Sequence, residues 1–155
     1  MKYAVIGAGG MGIQYGVLLQ EFAHKDVDFI DTWKPNVEKI REQGGAYVSQ
    51  DGEDRHLVPI DVYYPEEYTG EPDVWIVSSS RCSSTPCSSA APPVQRPPDR
   101  VLAMNGYGTF EKLNEYSPKD RIYGGTGTRS APTVVMVRAT FKRSTRGAHR
   151  QRPTR

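Results

Sequence analysis

The chain has 155 residues, enough for one domain and too few for a large multidomain assembly. Hydrophobic residues make up 37% and charged residues 25%, so a packed core is expected, and no apolar run approaches the roughly 18 residues of a membrane span. The first apolar run breaks into glycines before a secretory signal could form. We therefore expect a cytoplasmic protein without a membrane partner.

The net charge of +2 conceals an uneven distribution. Residues 1–120 carry 18 acidic and 11 basic side chains, whereas residues 121–155 carry nine basic side chains and no acidic one. An acidic first part followed by a basic end predicts a folded domain over 1–125 and a basic, disordered tail over 126–155. Nucleic-acid binding through the tail is an alternative, but Phe141 is its one aromatic side chain for stacking. We expect no specific nucleic-acid partner.

Strand and helix signals alternate in the first part of the chain. Apolar runs rich in β-branched residues predict strands, and apolar residues at helical spacing predict helices. In chain order these are a strand over 2–6, a helix over 11–22, a strand over 27–31 and a helix over 36–43. Pro35 suits the first turn of the second helix, and Gly44 suits its end.

The alternation continues in the second part. The predicted elements are a hairpin of 46–50 and 56–62 around Asp51-Gly52, strands over 73–77 and 100–104, a helix over 109–116 and a strand over 121–123. Strands alternating with helices indicate an α/β fold with a mostly parallel sheet.

One segment contradicts this pattern. Residues 78–98 contain seven Ser and five Pro in 21 positions, a composition that excludes a helix where parallel neighbours need a crossover. We therefore predict that an aberrant Ser/Pro-rich segment at 78–99 interrupts the domain. A reading-frame shift there, and another near residue 126, would explain the altered composition at unchanged length.

The clearest chemical signal follows the first predicted strand, where six residues fit G-x-G-x-x-G: Gly7, Ala8, Gly9, Gly10, Met11 and Gly12. Gly7 would permit the tight turn, Gly9 the approach of a pyrophosphate to the backbone, and Gly12 close packing of helix on strand. The helix N-terminus would offer N–H groups to the phosphates. The sequence predicts a dinucleotide-binding loop, and the alternative is a turn that binds nothing.

Asp31 is predicted to select the cofactor. It follows Gly12 by 19 residues at the end of the second predicted strand, where a carboxylate can accept both ribose hydroxyls. A carboxylate there repels a 2′-phosphate, and the neighbouring Thr32 and Lys34, also expected at the cofactor, supply no arginine. NAD is thus favoured over NADP. The alternative is that Lys34 offsets Asp31 and both cofactors bind.

Several segments together resemble a known family. They are residues 2–12, 31–44, 50–52 and 73–77, and Asn105-Gly106-Tyr107-Gly108 followed by Glu111-Lys112-Leu113. The chain over 1–77 and 100–125 resembles the N-terminal half of the ketopantoate reductase family, which includes 2-dehydropantoate 2-reductases and D-mandelate-type 2-hydroxyacid dehydrogenases.

The resemblance implies a Rossmann-type domain and NAD(P)H-dependent reduction of a small 2-oxo acid. It also implies that Asn105 is a catalytic residue that contacts substrate or nicotinamide at the edge of the cofactor cleft. The alternative for Asn105 is a turn after a strand.

The chain departs from the family pattern at three points. Thr32 stands where the family usually has an arginine, and Ser80 stands where it has a lysine. The family's helical C-terminal domain, which supplies a general-acid lysine, is expected to be absent. We therefore expect weak or no reductase activity, and the alternative hypothesis is a non-catalytic dinucleotide-binding fragment. A homodimer is expected only with the full set of domains.

No metal site is expected. His24, His56 and His149 lack metal-like spacing with Cys82 and Cys87, which form a lone C-x4-C pair.

Overall fold

The computed structural model describes residues 1–50, 53–78, 98–103, 109–115, 117–124 and 138–141. Its helices are α1 (Gly10–Ala23), α2 (Lys34–Gln43), α3 (Thr109–Asn114) and a 3-10 turn (Lys119–Arg121). Its strands are β1 (Tyr3–Ile6), β2 (Val27–Ile30), β3 (Ala46–Gln50), β4 (Glu53–Val58), β5 (Asp61–Tyr63), β6 (Val74–Val77), β7 (Asp99–Leu102), β8 (Ile122–Gly124) and β9 (Arg138–Phe141).

The main sheet has six strands in the order β5-β2-β1-β6-β7-β8, and all neighbouring strands are parallel. Strands of this kind are buried on both faces, which explains the nearly continuous apolar runs of β1 and β6. Chain order reverses between β1 and β6, as it does in doubly wound sheets. The prediction of a Rossmann-type α/β fold with a mostly parallel sheet is confirmed.

Apolar side chains form two clusters because successive residues of a strand point to opposite faces. Val5 lies in the cluster that includes Ile13 and Val17 of α1, whereas Ala4 and Ile6 lie in the other cluster. Phe29, fully buried on β2, lies so close to Gly16 that a Cβ on that glycine would overlap the phenyl ring. α1 therefore packs directly on β2.

Both helices predicted in the first part are present. α2 starts with Lys34 and has Pro35 in its first turn, and Gly44 ends it at a φ of 71°, a left-handed conformation that suits glycine. The N–H of Gly45 then donates to the carbonyl of Ile40. Within the described ranges, no helix has the length and apolar character needed to cross a bilayer.

The hairpin after α2 is present but shorter than predicted. β3 and β4 pair antiparallel, but β4 ends at Val58 instead of continuing to residue 62. Pro59 has no N–H for a ladder, so pairing stops, and β5 instead joins the main sheet parallel to β2. The predicted turn at Asp51-Gly52 lies outside the described residues.

The later strands follow the predictions closely. β7 begins at Asp99 and ends at Leu102, and the 3-10 turn shifts β8 one residue beyond the predicted start. Most of the segment 78–99 lies outside the described residues, so its predicted interruption of the domain stays a prediction.

β9 differs from the prediction of disorder over 126–155. It pairs in parallel with β3, opposite β4, and completes a second, three-stranded sheet. The free edge of β3 offers unpaired backbone groups, and the four residues of β9 satisfy them. Arg138–Phe141 thus form a strand within the predicted tail, and disorder stays a prediction for the remainder of 126–155, which lies outside the described residues.

Candidate functional site

The candidate site lies where the carboxyl ends of β1 and β6 meet. Ligands of open α/β sheets bind in the crevice at the point where strand order reverses, which here separates β1 from β6. The glycine loop, residues 7–12, leaves β1 at this point and opens α1. Ser78 follows β6 on the other side of the crevice.

Three glycines of the loop differ in conformation and surroundings. Gly7 has a φ of 96°, a conformation that other residues rarely adopt. A Cβ on Gly12 would overlap the carbonyl oxygen of Gly7 and lie 2.6 Å from the Oγ of Ser78, so α1 approaches the loop more closely than a side chain permits. A Cβ on Gly9 would meet nothing within 4 Å. Space for a ligand is therefore open above Gly9.

The N-terminus of α1 faces this site without a protein cap. Gly9 is the N-cap residue and, among the described residues, it provides no side-chain cap, and the first turn contains no acidic residue. The first intrahelical bond runs from the N–H of Ile13 to the carbonyl of Gly9, at 2.9 Å. The N–H groups before Ile13 thus have no intrahelical acceptor and carry the positive end of the helix dipole.

Asp31 lies beside the loop, as its position after β2 predicts. Its Oδ2 accepts a 2.8 Å hydrogen bond from the N–H of Ala8, and its Oδ1 accepts a 2.9 Å bond from the N–H of Trp33. A carboxylate has about four acceptor positions, so both oxygens retain a lone pair for a ligand. Asp31 therefore holds the loop in place and can accept further hydroxyl groups.

Asn36 is a site residue that sequence reasoning missed. Its side chain is 2% exposed, and its Nδ2 donates a 2.9 Å hydrogen bond to the carbonyl of Ala8. Ala8 is thus held at its N–H by Asp31 and at its C=O by Asn36. No local signal distinguishes Asn36 from an ordinary polar residue in a helix first turn.

Ser78 was also missed. Its Oγ lies 2.9 Å from the carbonyl oxygen of Gly7 and 3.0 Å from that of Ile6, and its one hydroxyl proton is shared between these acceptors. Its backbone N–H donates to Ile6 as well, at 2.9 Å. Ser78 therefore joins the end of β6 to the start of the loop.

The other predicted site residues fall into two groups. Ala8 and Gly10 are buried in the loop, Met11 is half-buried, and Thr32 and Lys34 are exposed just after Asp31. Asn105 and Ser80 lie outside the described residues. The structure thus brings the predicted loop and Asp31 together and gives no position for Asn105.

A second polar group, away from the loop, belongs to the fold. The Oδ2 of Asp28 accepts hydrogen bonds from the Nζ of Lys2 at 2.9 Å and from the hydroxyl of Tyr68 at 2.8 Å. The bond to Asp28 raises the pKa of Lys2. Burial, with a smaller effect of Asp28, raises the pKa of Tyr68. In the described part of the chain, no three His, Cys, Asp or Glu side chains are grouped as metal ligands.

Comparisons with known proteins agree with the fold. The family model described as ketopantoate reductase PanE/ApbA matches residues 3–143. A 2-dehydropantoate 2-reductase of Nostoc sp. is 32% identical over 125 residues, covering 80% of this chain and 38% of that protein. The chain thus spans well under half the length of this curated relative.

Two solved structures are similar. A putative 2-dehydropantoate 2-reductase of Enterococcus faecalis has a TM-score of 0.76 at 26% identity, with 91% of this chain and 45% of that chain covered. A D-mandelate dehydrogenase solved with NADH and anilino(oxo)acetate has a TM-score of 0.80 at 20% identity, with the same coverage. At 20% identity the likeness concerns the fold alone.

The family match is longer than the resemblance found in the sequence. It takes in residues 78–99 and continues past residue 125, where the sequence analysis placed the end of the resemblance. It includes the glycine loop, Asp31 and β9. Since both this match and the Nostoc relative cover most of the chain, the protein belongs to the ketopantoate reductase family.

Proposed function

We propose that the chain binds a nicotinamide dinucleotide in the crevice between β1 and β6. The observation that carries this proposal is the open space at Gly9, directly before the uncapped N-terminus of α1. A pyrophosphate there would accept hydrogen bonds from the first helical N–H groups and meet the positive end of the dipole. The loop has room and complementary charge for that anion.

We propose that Asp31 binds the adenosine ribose and that Thr32, Lys34 and Asn105 lie at the edges of the cofactor site. The residues proposed to bind the pyrophosphate are those of the glycine loop: Gly7, Ala8, Gly9, Gly10, Met11 and Gly12. When bound, the dinucleotide supplies the hydride. The chain's own task is to orient it, and Asp31 and Asn36 serve this by holding Ala8 from both sides.

NAD is proposed as the preferred cofactor. The free lone pairs of Asp31 suit a ribose diol, and its negative charge opposes a 2′-phosphate. Thr32 adds no positive charge. Lys34, at the start of α2, is the one cationic residue of the segment 31–34, and its charge would reduce the preference for NAD over NADP.

The reaction that we propose is reduction of the keto group of a small 2-oxo acid. Family membership and the names of the relatives support this class of reaction. Asn105 would contact the substrate or the nicotinamide, and an amide donor stabilises the negative charge that develops on a carbonyl oxygen during hydride transfer. That role rests on the resemblance of the Asn105-Gly106-Tyr107-Gly108 segment to the family.

A second candidate function is dinucleotide binding without turnover. It is favoured by the residues that we assign, since the described ones all lie at the proposed dinucleotide crevice. Reduction of a 2-oxo acid needs a proton donor and groups that bind the carboxylate, and Asn105 is the single candidate that we assign. For the 155-residue polypeptide alone we expect turnover below about 1 per second.

The test uses the purified 155-residue chain. NADH is titrated while its fluorescence is followed, and steady-state rates are then measured with 2-dehydropantoate and with a phenyl-substituted 2-oxo acid. Saturable NADH binding with slow or absent turnover is expected. Absence of NADH binding would contradict the proposed site, and turnover of about 1 per second or faster would contradict the non-catalytic candidate.

A further inference from the structure

We propose that the indole ring of Trp33 is the surface on which the adenine ring of the dinucleotide stacks. This inference rests on the proposed dinucleotide binding and adds a binding residue that the sequence analysis did not assign. The ligand part concerned is the adenine nucleotide half, independent of the nicotinamide.

The exposure of the two tryptophans differs sharply. Trp75 is 4% exposed and packs edge-on against Tyr68, as a core tryptophan does. Trp33 is 43% exposed and lies in the short connection between β2 and α2. A single exposed hydrophobic residue needs no special explanation, so the inference depends on where Trp33 lies.

The backbone of Trp33 is fixed on both sides. Its N–H donates to Oδ1 of Asp31 at 2.9 Å, and its carbonyl accepts hydrogen bonds from the N–H groups of Asn36 at 3.0 Å and Val37 at 3.1 Å. The ring is therefore carried by an ordered peptide that is bound to the Asp31 carboxylate. Because the backbone is already fixed, a ligand that stacks on the ring has to order only the side-chain torsions of Trp33.

The covalent structure of an adenine dinucleotide places its base near this ring. In the proposed site Asp31 accepts the 2′-hydroxyl of the adenosine ribose. The adenine is attached to C1′, the carbon next to the one that carries this hydroxyl. The base therefore lies within about one ring width of Asp31, and Trp33 is the aromatic residue bonded to that carboxylate.

The other exposed aromatic side chains of the described residues are poorly placed for this role. Phe22 lies in the last turn of α1, roughly 20 Å along the helix from the loop. Phe110 and Tyr123 belong to the part of the chain that follows β7, on the opposite side of β1 from Asp31. Trp33 alone among them adjoins the ribose carboxylate.

The experiment measures binding of ADP-ribose, which has the adenine half and no nicotinamide, and of nicotinamide mononucleotide, which has no adenine. The 155-residue parent and its Trp33→Leu, Trp33→Phe and Phe22→Leu variants are compared by calorimetry. Phe22→Leu is the matched control, because it removes an exposed aromatic ring remote from the loop. Far-ultraviolet circular dichroism checks that each variant folds.

We expect Trp33→Leu to weaken ADP-ribose and NADH roughly 5- to 100-fold, the range observed when one stacking aromatic is removed. Trp33→Phe should retain part of the affinity, since phenyl also stacks. The affinity of Trp33→Leu for nicotinamide mononucleotide should equal that of the parent. The Phe22→Leu protein should bind all three ligands with parental affinity.

Tryptophan emission gives an independent measurement. Adenine does not absorb at the wavelengths where tryptophan emits, so quenching by ADP-ribose reports contact and not energy transfer. Quenching should persist in Trp75→Phe, where Trp33 is the remaining emitter, and vanish in Trp33→Phe. If Trp75→Phe fails to fold, the comparison of parent with Trp33→Phe suffices.

The outcomes separate this inference from the proposed function. A parent that binds NADH and ADP-ribose, with unchanged affinities in Trp33→Leu, would overturn the role of Trp33 and leave the dinucleotide site standing. A parent that binds neither ligand would overturn both.

Discussion

The glycines of the loop differ in whether the fold itself requires them. The requirement for glycine at Gly12 arises inside the protein, because a side chain there would overlap the loop backbone. At Gly9 the protein itself imposes no such requirement, since an added Cβ meets open space and the φ of −77° suits any residue. The dinucleotide that we propose, approaching the backbone here, would account for glycine at position 9.

Gly9→Val should therefore abolish dinucleotide binding and leave the fold unchanged. Its branched side chain would occupy the space proposed for the pyrophosphate. NADH titration and far-ultraviolet circular dichroism measure the two effects, and Gly124→Val, at another glycine with open surroundings, is the control. Undiminished NADH binding by Gly9→Val would mean that the loop is only a turn.

Asp31→Ala should narrow the preference for NADH over NADPH. The substitution removes the charge that opposes the 2′-phosphate, and it also removes the bond to Ala8, so binding of both cofactors should weaken. Titrations of parent and variant with each cofactor measure the ratio of the dissociation constants. Tighter binding of NADPH by the parent, by tenfold or about 1.4 kcal/mol, would contradict the assignment.

The limits of sequence reasoning at this scale follow from distance along the chain. The roles of Gly7 and Gly12 were predictable because they depend on a motif within six neighbouring residues. Asn36 and Ser78 contact the loop from 28 and 71 residues away, and a single sequence contains no local sign of such contacts.

At the scale of elements, three parts of the fold meet at the loop. The end of β2 contributes Asp31, the first turn of α2 contributes Asn36, and the residue after β6 contributes Ser78. Each binds a different backbone group between residues 6 and 8. The loop geometry is thus set by how β2, α2 and β6 pack and not by glycine alone.

Asn36→Ala should loosen the loop without removing any group that we assign to the ligand. The carbonyl of Ala8 would lose its buried partner, which costs about 1–3 kcal/mol of folding free energy. We expect NADH to bind roughly fivefold more weakly, equal to about 1 kcal/mol.

Urea unfolding and NADH titration measure these effects. Lys39→Ala, on the exposed face of the same helix, is the control and should change neither. A destabilised Asn36→Ala protein with parental NADH affinity would show that Asn36 supports the fold but not the site.

Sequence periodicity predicted the elements better than their sheet membership. Each strand and helix leaves a local pattern, so α1, α2, β1 and β6 were placed to within a few residues. The partner of β5 is β2, which lies about 30 residues earlier. The local pattern therefore did not indicate that the predicted strand over 56–62 divides at Pro59 into β4 and β5, which belong to different sheets. β9 was missed for the same reason, because its partner is β3.

At the scale of the whole molecule, stability depends on a buried phenol. Tyr68 is 7% exposed, contacts the rings of Tyr63 and Trp75, and donates to Asp28. Burial first, and then this hydrogen bond, raise the pKa of Tyr68. Deprotonation is thus opposed in the folded chain and unopposed in the unfolded chain.

The free energy of unfolding should therefore fall at alkaline pH. A pKa raised by folding leaves the contribution of Tyr68 intact below the unfolded phenol pKa of about 10, and this contribution is lost as pH rises above that value. Urea unfolding at about pH 8 and about pH 11 measures the difference.

Tyr68→Phe should unfold more easily near neutral pH, by about 1 kcal/mol, because the bond to Asp28 is lost. The free energy of unfolding of Tyr68→Phe should fall less between about pH 8 and about pH 11 than that of the parent. Tyr123→Phe, at an exposed tyrosine, should behave like the parent at both pH values. An equal alkaline decline in Tyr68→Phe would assign the effect to other groups.

The central place of β1 in the sheet affects how the chain acquires its site during synthesis. β1 pairs on one side with β2, and on this side the two contacts to Ala8 come from Asp31 and Asn36, within the first 36 residues. The other side of β1 awaits β6, whose register pairs Ile6 with Val77. Because a chain emerges from the ribosome N-terminus first, two of the three loop anchors are present well before Ser78 is made. We expect the ribose side of the crevice to form early and the closure at β6 to be the late, slower step, as befits its much larger sequence separation.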